Sequence, residues 1–585
     1  MPQTASDVLV ETLIEWGVEI VFGLPGDGIN GVMEALRTRQ DRILFIQARH
    51  EEAAAFMACA YAKWTGRLGV CLATTGPGGI HLLNGLYDAK FDRAPVLAIT
   101  GLPYHDLNQT FTQQDIDHTR VFQDVAAYSV AIQGSRHVRP AAMLACRTAL
   151  GKRAVAHLAI PADVQEQELE ADEASPRHKV DPTPAFARPR AVPNDDAIAR
   201  AAQVLNAGSK VVILAGQGAA GAADALLHTA ELLGAPIAKA LLGKDVLPDD
   251  HPHVTGGVGY LGARPSQLAL EACDTLLIVG SSFPYLEYYP LPGQARAVQI
   301  DLDPARISLR YPVEAPVAGD AAACLEALNA RLKRKADRSF LTEVQGWKQD
   351  WLRALDEGAD RPGMPMKPQR VVRDLNRRLG SDAVIATDCG HNTGLAAQYI
   401  QMREGQRFGV SGTLASMGGG LPYAIAAALA FPERQAVAIV GDGGLSMSLG
   451  ELATCARYGL PVKVVVINNG SLGQIKWEQM MFLGNPEFGC ELAPIDFARV
   501  AEGMGVRGFR VEDPDLLGGI LDEALAHPGP ALIDAVVDAA EPMLPPTRRE
   551  EYLQKLDEAF AAGSPGEDRI RQAMTEEPAR TSLKT

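Results

Sequence analysis

AVAIVGDGGLSMSLGELATCARYGLPVKVVVINNG, residues 436–470, decides how the rest of the chain is read. AVAIV is an apolar run of strand length. Gly441-Asp442-Gly443-Gly444 follows it, then a stretch of helical pattern, then a second apolar run, VKVVVI, ending in Asn468-Asn469. This is a strand–helix–strand unit, and such a crossover joins parallel strands. Parallel strands end on one sheet edge, so Asp442 and Asn469 are expected side by side where open α/β sheets bind ligands. The glycines let a backbone approach a phosphate, and the helix start after them favours an anion. A carboxylate and an amide oxygen are hard donors suited to Mg²⁺, which keeps phosphate oxygens in its shell. The stretch therefore predicts a Mg²⁺–diphosphate site. Gly-Asp-Gly alone would be an ordinary acidic turn; a strand before it and an Asn-Asn 27 residues past Asp442 narrow the reading.

At 585 residues the chain exceeds one core, and ~150 residues per domain suggests three or four domains. A formal charge of -16 argues against nucleic acid or an anionic membrane as the main partner. Eight scattered cysteines, without CxxC or zinc spacing, fit reduced thiols in a cytoplasm. The N-terminus carries acids where a signal peptide needs a basic region, and no apolar run approaches a membrane span. An integral membrane protein is not expected.

Residues 4–16 read as an amphipathic helix with Thr4 or Ser6 as cap and Val8, Leu9, Leu13 and Trp16 near helical spacing. EIVFG, ILFIQAR, GVCLATT and PVLAITG read as strands, with a helix opening at Glu51 and a Gly turn at Gly76-Pro77-Gly78-Gly79. This is an open α/β domain over 1–178. SPRHKVDPTPAFARPRAVPND (175–195) reads as a linker. The second domain, 192–335, opens with VVILAGQGAAGAADALL, a strand, a GxGxxG and a helix. A dinucleotide fingerprint wants an acid at the end of the next strand, but that position is Lys239, which weakens the NAD reading. A third α/β domain covers 366–545. The tail, 546–585, reads as a helix (EEYLQKLDEAFAAG) docking on protein through Tyr552, Leu553, Leu556, Ala559 and Phe560, followed by a disordered segment. The fold class is α/β: three open, doubly wound domains.

The 436–470 stretch resembles the diphosphate-binding motif of thiamine-diphosphate enzymes. RHEEAAAFMACAYAKWTG (49–66) and GPGGIHLLNGLYDA (76–89) resemble the pyrimidine-binding domain of pyruvate oxidases and acetolactate synthases. The resemblance covers the chain to about residue 545. It implies Asp442, Asn469 and the Ser471 carbonyl as Mg²⁺ ligands, and Gly441, Gly443, Gly444, Leu472 and Gly473 against the diphosphate. It implies Glu51 at the pyrimidine N1′, where an acid stabilises the imino tautomer that deprotonates thiazolium C2. Without the resemblance, Glu51 would be an exposed acid in a helix first turn. Gln114 matches an active-site glutamine; Gln113 stands where many relatives carry Phe. His81 either borders the pocket or is a satisfied structural histidine.

By the same resemblance, the backbone around Gly390, His391 and Asn392 touches the diphosphate. Ala415, Ser416 and Met417 contact the pyrimidine, with Met417 wedged between the two cofactor rings. GSSFPYLEYYPLPGQARAVQIDLDPARI (280–307) resembles the flavin-binding middle domain of pyruvate oxidases. That implies FAD, with Gly259, Tyr260 and Leu261 in one contacting turn, Ser281, Ser282, Phe283, Pro284 and Tyr285 in a second, and Asp301 at the adenosine end.

After Asn469, acetolactate synthases carry a tryptophan where this chain has Glu478. Ile475 and Glu478 instead resemble the active-site pair of pyruvate oxidases, although Gln474 replaces an aromatic. The implied reaction is thiamine-diphosphate- and FAD-dependent oxidative decarboxylation of pyruvate or a related 2-oxo acid. The alternatives are an acetolactate synthase-like carboligase with structural FAD, a thiamine-dependent decarboxylase or C–C hydrolase, and a non-catalytic relative. A homodimer is the implied minimum, with a tetramer common.

Overall fold

The computed structural model describes residues 3–169, 183–187, 190–546 and 550–576. Three six-stranded sheets organise it, and every pairing within them is parallel. Across the first sheet the strands run Leu44–Gln47, Ile20–Gly23, Gly69–Ala73, Val96–Leu102, Val155–Pro161, Ala126–Ala131. The third runs Arg407–Gly409, Val384–Thr387, Ala436–Gly441, Lys463–Asn468, Ala531–Val536, Arg507–Val511. Numbered within each domain, both follow the order 2-1-3-4-6-5. The middle sheet differs, at 3-2-1-4-5-6. Its strands lie between Val211 and Ala318.

The deciding stretch folds as expected, with one difference. Gly441 pairs with Ile467, so Asp442 and Asn469 leave the same edge. The crossover, however, is two helices, Asp442–Ser448 and Glu451–Tyr458, not one. The chain bends at Gly450, where an added Cβ would lie 3.3 Å from the Cβ of Arg49 in the first domain.

Thr4 is the cap of the first helix, Ala5–Glu15: its hydroxyl accepts from Asp7 N while the Asp7 carboxylate accepts from Thr4 N. Ser6 lies inside that helix and donates to the Gln165 carbonyl. The first and third domains share a core. The helices Glu51–Thr65 and Gly420–Ala430 pack together, burying Phe56, Tyr61, Leu421 and Tyr423.

The tail departs from expectation. The helix Glu550–Ala561 docks through Leu556, Ala559 and Phe560. A second helix, Glu567–Glu576, follows where disorder was expected. Its composition is charged, but Ile570, Ala573 and Met574 fall at helical spacing and are buried; Ile570 and Met574 join Trp477, Met480 and Met543 in one cluster. Residues 577–585 and, within the expected linker, residues 175–182 and 188–189 lie outside the described residues. All eight cysteines are unpaired. Among the described residues no helix is long and apolar enough to cross a membrane.

Candidate active site

The third sheet gathers one group of polar atoms at its C-terminal edge. Asp442 is the first residue of its helix and is buried. Its Oδ2 accepts from Gly470 N at 2.8 Å, tying the two strand ends together. Asn469 Oδ1 accepts from Ser471 N at 3.1 Å. The 470–472 segment is anchored in turn, with Leu472 N donating to the Cys490 carbonyl and Leu492 N to Gly470. Burial pushes the Asp442 carboxyl up to about 6. A cation seated against it would repay that desolvation.

Glycines make the cradle. A Cβ on Gly441 would stand 3.2 Å from Asn392 Oδ1, and one on Gly473 would stand 3.2 Å from His391 Nδ1 and 2.8 Å from Asn469 Nδ2. The turn Gly390–Asn392 thus converges on Gly441–Gly444 and on Asn469–Gly473. The Met417 Cε lies 3.5 Å from the Cβ position of Gly443, so its side chain overhangs the same cradle. Ala415, beside it, has φ +59, a left-handed conformation costly for a residue with a Cβ. The first domain holds this strained loop. Asn84 Nδ2 donates to Ser416 Oγ, and the Asp92 carboxylate accepts from Gly412 N and Thr413 N.

Asp388 went unnoticed in the sequence. It is buried, accepts from Cys389 N at 2.9 Å and Gly418 N at 3.1 Å, and is pushed up to about 6 by burial. A Cβ on Gly444 would fall 1.9 Å from its Oδ2. Asp388 therefore pins the Met417 loop and the Gly441–Gly444 turn together. The sequence signal was an acid directly after the apolar strand VIAT, a setting like that of Asp442.

The first sheet presents a different group. Glu51 opens the helix Glu51–Thr65 and is buried, unlike an ordinary first-turn acid. Its Oε2 lies 3.0 Å from His81 Nδ1, so His81 partners Glu51. The His81 ring stacks on His50 with centroids 4.6 Å apart. Glu451, also missed, accepts from Arg49 N and His50 N and fixes the start of the helix from the third domain. Gly78 lies against the Glu51 carboxylate, and Gly76 lies against the Gln114 side chain. Gln114 bonds Thr75 Oγ1 and has φ +59; Gln113 beside it is exposed.

The expected flavin residues also converge. Gly259 has φ +93, and a Cβ there would meet the Phe283 ring at 2.7 Å, so the two turns touch. Tyr260 donates to the Met543 carbonyl at 2.6 Å, and Leu261 packs near Gly394, so this turn abuts the third domain. Ser281 caps the Phe283 amide, and Ser282 accepts from Arg306. Asp301 ends its strand, buried, and burial raises its carboxyl above the ordinary range. Tyr285, after Pro284, is half exposed, and partial desolvation raises its pKa above the ordinary value. The Tyr260 ring meets Phe482 edge to face, centroids 5.3 Å apart, at the end of the helix Gly473–Met481, where Ile475 is exposed and Glu478 accepts from Gln474. Lys239 is no ribose site: it is buried and paired with Asp249 at 2.8 Å.

Sequence profiles of thiamine pyrophosphate enzymes match all three domains: the N-terminal TPP-binding domain over residues 3–121, the central domain over 198–328 and the C-terminal TPP-binding domain over 388–535. The chain belongs to the thiamine pyrophosphate enzyme family. It is 40% identical over 544 residues to the thiamine pyrophosphate-containing protein YdaP of Bacillus subtilis, covering 93% of each chain. It is 34% identical over 546 residues to the pyruvate oxidase of Lactiplantibacillus plantarum, covering 92% of this chain and 89% of the relative. Acetolactate synthase 1 of Nicotiana tabacum is 31% identical over 569 residues, covering 93% and 83%. For this family the third-sheet cradle is chemically suited to a Mg²⁺-bound diphosphate: buried oxygen donors, glycines that leave room, and backbone amides at a helix start.

Proposed function

We propose that the enzyme oxidatively decarboxylates pyruvate or a closely related 2-oxo acid and passes two electrons to FAD. Thiamine diphosphate, when bound, supplies the nucleophilic carbon and the electron sink for cleaving the bond beside a 2-oxo group. The chain's own residues do the rest. Asp442, Asn469 and the Ser471 carbonyl would hold Mg²⁺. Glu51 would hold a proton at the pyrimidine, with His81 fixing its carboxylate. Gln114, Ile475 and Glu478 would line the substrate.

The observation that carries the redox half is the edge-to-face contact of Tyr260, in the first expected flavin turn, with Phe482 at the end of the Glu478 helix, ring centroids 5.3 Å apart. It brings the flavin-contacting segment to the wall of the substrate site. Where the resemblance to acetolactate synthases implies a tryptophan, this chain has Glu478, which removes that aromatic wall from the site.

The reading also requires two copies of the chain, with Glu51 of one facing Asp442 of the other. Support comes from large apolar groups exposed beside both halves: Tyr104, Leu107 and Phe111 near Gln114, and Met447, Ile475 and Phe488 near the cradle.

The deciding experiment is the visible spectrum of purified protein under anaerobic conditions, before and after pyruvate, Mg²⁺ and thiamine diphosphate. A flavin band that bleaches is expected. A band that persists while acetolactate accumulates would replace this reading with the carboligase one, which the tobacco relative makes the second choice.

A further inference from the structure

A chain of hydrogen-bonded polar side chains, half-buried at Ser129 and buried beyond it, lies behind the Gly76–Gly79 turn. Ser129 Oγ is 2.8 Å from His157 Nδ1. His157 Nε2 is 2.9 Å from Thr100 Oγ1. Thr100 Oγ1 is 2.9 Å from His118 Nδ1, and His118 Nε2 is 3.3 Å from the Gly76 carbonyl oxygen. Thr100, His118 and His157 are fully buried, and Phe122 stacks on His157 at 3.9 Å.

Donor and acceptor rules fix the direction of this chain. A carbonyl oxygen only accepts, so His118 Nε2 carries the hydrogen. Burial keeps both rings below the ordinary histidine range, so each is neutral. His118 Nδ1 is then an acceptor, and Thr100 must donate to it. Thr100 accepts in turn from His157 Nε2–H, which leaves His157 Nδ1 to accept from Ser129. Every hydrogen points from Ser129 toward Gly76. A proton relay needs an end that can pass a proton on, and a backbone carbonyl cannot. The chain is a strut.

What it props is thin. A Cβ on Gly79 would meet His118 Cε1 at 2.5 Å, while one on Gly78 would lie 3.3 Å from Glu51 Oε1. One glycine turn separates His118 from Glu51, and Gly76 at its start packs on Gln114.

We propose that His118 is a positioning residue: held as the Nε2–H tautomer by Ser129, His157 and Thr100, it fixes the Gly76–Gly79 turn against Glu51 and Gln114. Its effect on cofactor binding rests on the thiamine reading of that site; its effect on the turn does not.

The test has three parts. In protein labelled with ¹⁵N at histidine, nitrogen shifts should report both rings neutral and Nε2-protonated at pH 7; a protonated Nδ1 on His118 overturns the proposal. His118→Phe fills the space but cannot donate. Amide hydrogen exchange across residues 74–80, and the Kd for thiamine diphosphate with Mg²⁺, should each rise about fivefold, the equivalent of one lost buried hydrogen bond. His118→Gln keeps a donor and should stay within about twofold on that same scale. Equal exchange in His118→Phe and wild type, or His118→Gln as damaged as His118→Phe, overturns it. If His118→Phe does not fold, Thr100→Val carries the test, because losing the hydroxyl should release the His118 tautomer. If no thiamine diphosphate binds, the tautomer and exchange results still decide the strut while the thiamine reading fails separately.

Discussion

The first and third sheets share a strand order and an all-parallel register, yet their C-terminal edges present different chemical groups. On the third, Asp442 accepts from the Gly470 N–H beside Asn469 and glycine-lined space, a setting for a hard cation and an anion. On the first, Glu51 faces a histidine and a glycine turn, a setting for holding a proton. Both acids open a helix, so the fold supplies the place and the neighbours supply the function. On the proposed reading, neither edge is complete alone.

The largest expected effect tests that division. Glu51→Gln should cut turnover by about 10³-fold, within the range of a lost proton-transfer group, while leaving the Kd for thiamine diphosphate near wild type. Asp442→Ala should do the reverse first, abolishing Mg²⁺-dependent binding in a titration. Mixing the two inactive proteins under conditions that exchange subunits should restore activity, because a mixed pair holds one site with both acids intact. No recovery despite demonstrated exchange would show that each chain builds its site from its own two edges.

A smaller effect is expected at the brace between the cradle and the Met417 loop. Asp388→Asn keeps the shape but turns an NH₂ toward backbone N–H donors. Leaving buried donors unpaired costs about 1–3 kcal/mol. The unfolding midpoint should fall, and cofactor affinity should drop with it. Unchanged stability would mean that Asp388 is a bystander to a loop held by Asp92 and Asn84.

These residues mark how far the sequence could be read. The fold was legible because parallel strands buried on both faces leave continuous apolar runs such as AVAIV and VVILA. Asp442, Asn469 and Glu51 were legible because their neighbours in the sequence announce them. Asp388, Glu451 and His118 were not, because their meaning lies in partners 30, 401 and 42 residues away, at Gly418, His50 and Gly76. The tail helix Glu567–Glu576 escaped for a related reason: three apolar residues among charges become a stripe only once the Trp477 cluster exists to receive them.

The smallest expected effect separates the two edges by pH. Burial depresses the pKa of His118 and His157 behind the first edge, while it raises Asp388 and Asp442 at the third to about 6. A depressed histidine binds no proton when folded but binds one when unfolded, so its contribution to stability is lost as pH falls through about 6.5. A raised carboxyl acts the other way: its buried charge weakens the fold at neutral pH, and the penalty shrinks as the folded group takes its proton. The total slope therefore mixes both signs and decides nothing. The difference between wild type and His157→Gln removes the carboxyls, since Gln can accept from Ser129 and donate to Thr100 without titrating. Between pH 6.5 and 5, urea unfolding of this variant should lose less stability than wild type, by up to about 1.4 kcal/mol per pH unit. Parallel profiles would mean that His157 already takes its proton in the fold, and the neutral strut behind Glu51 would be wrong at its base.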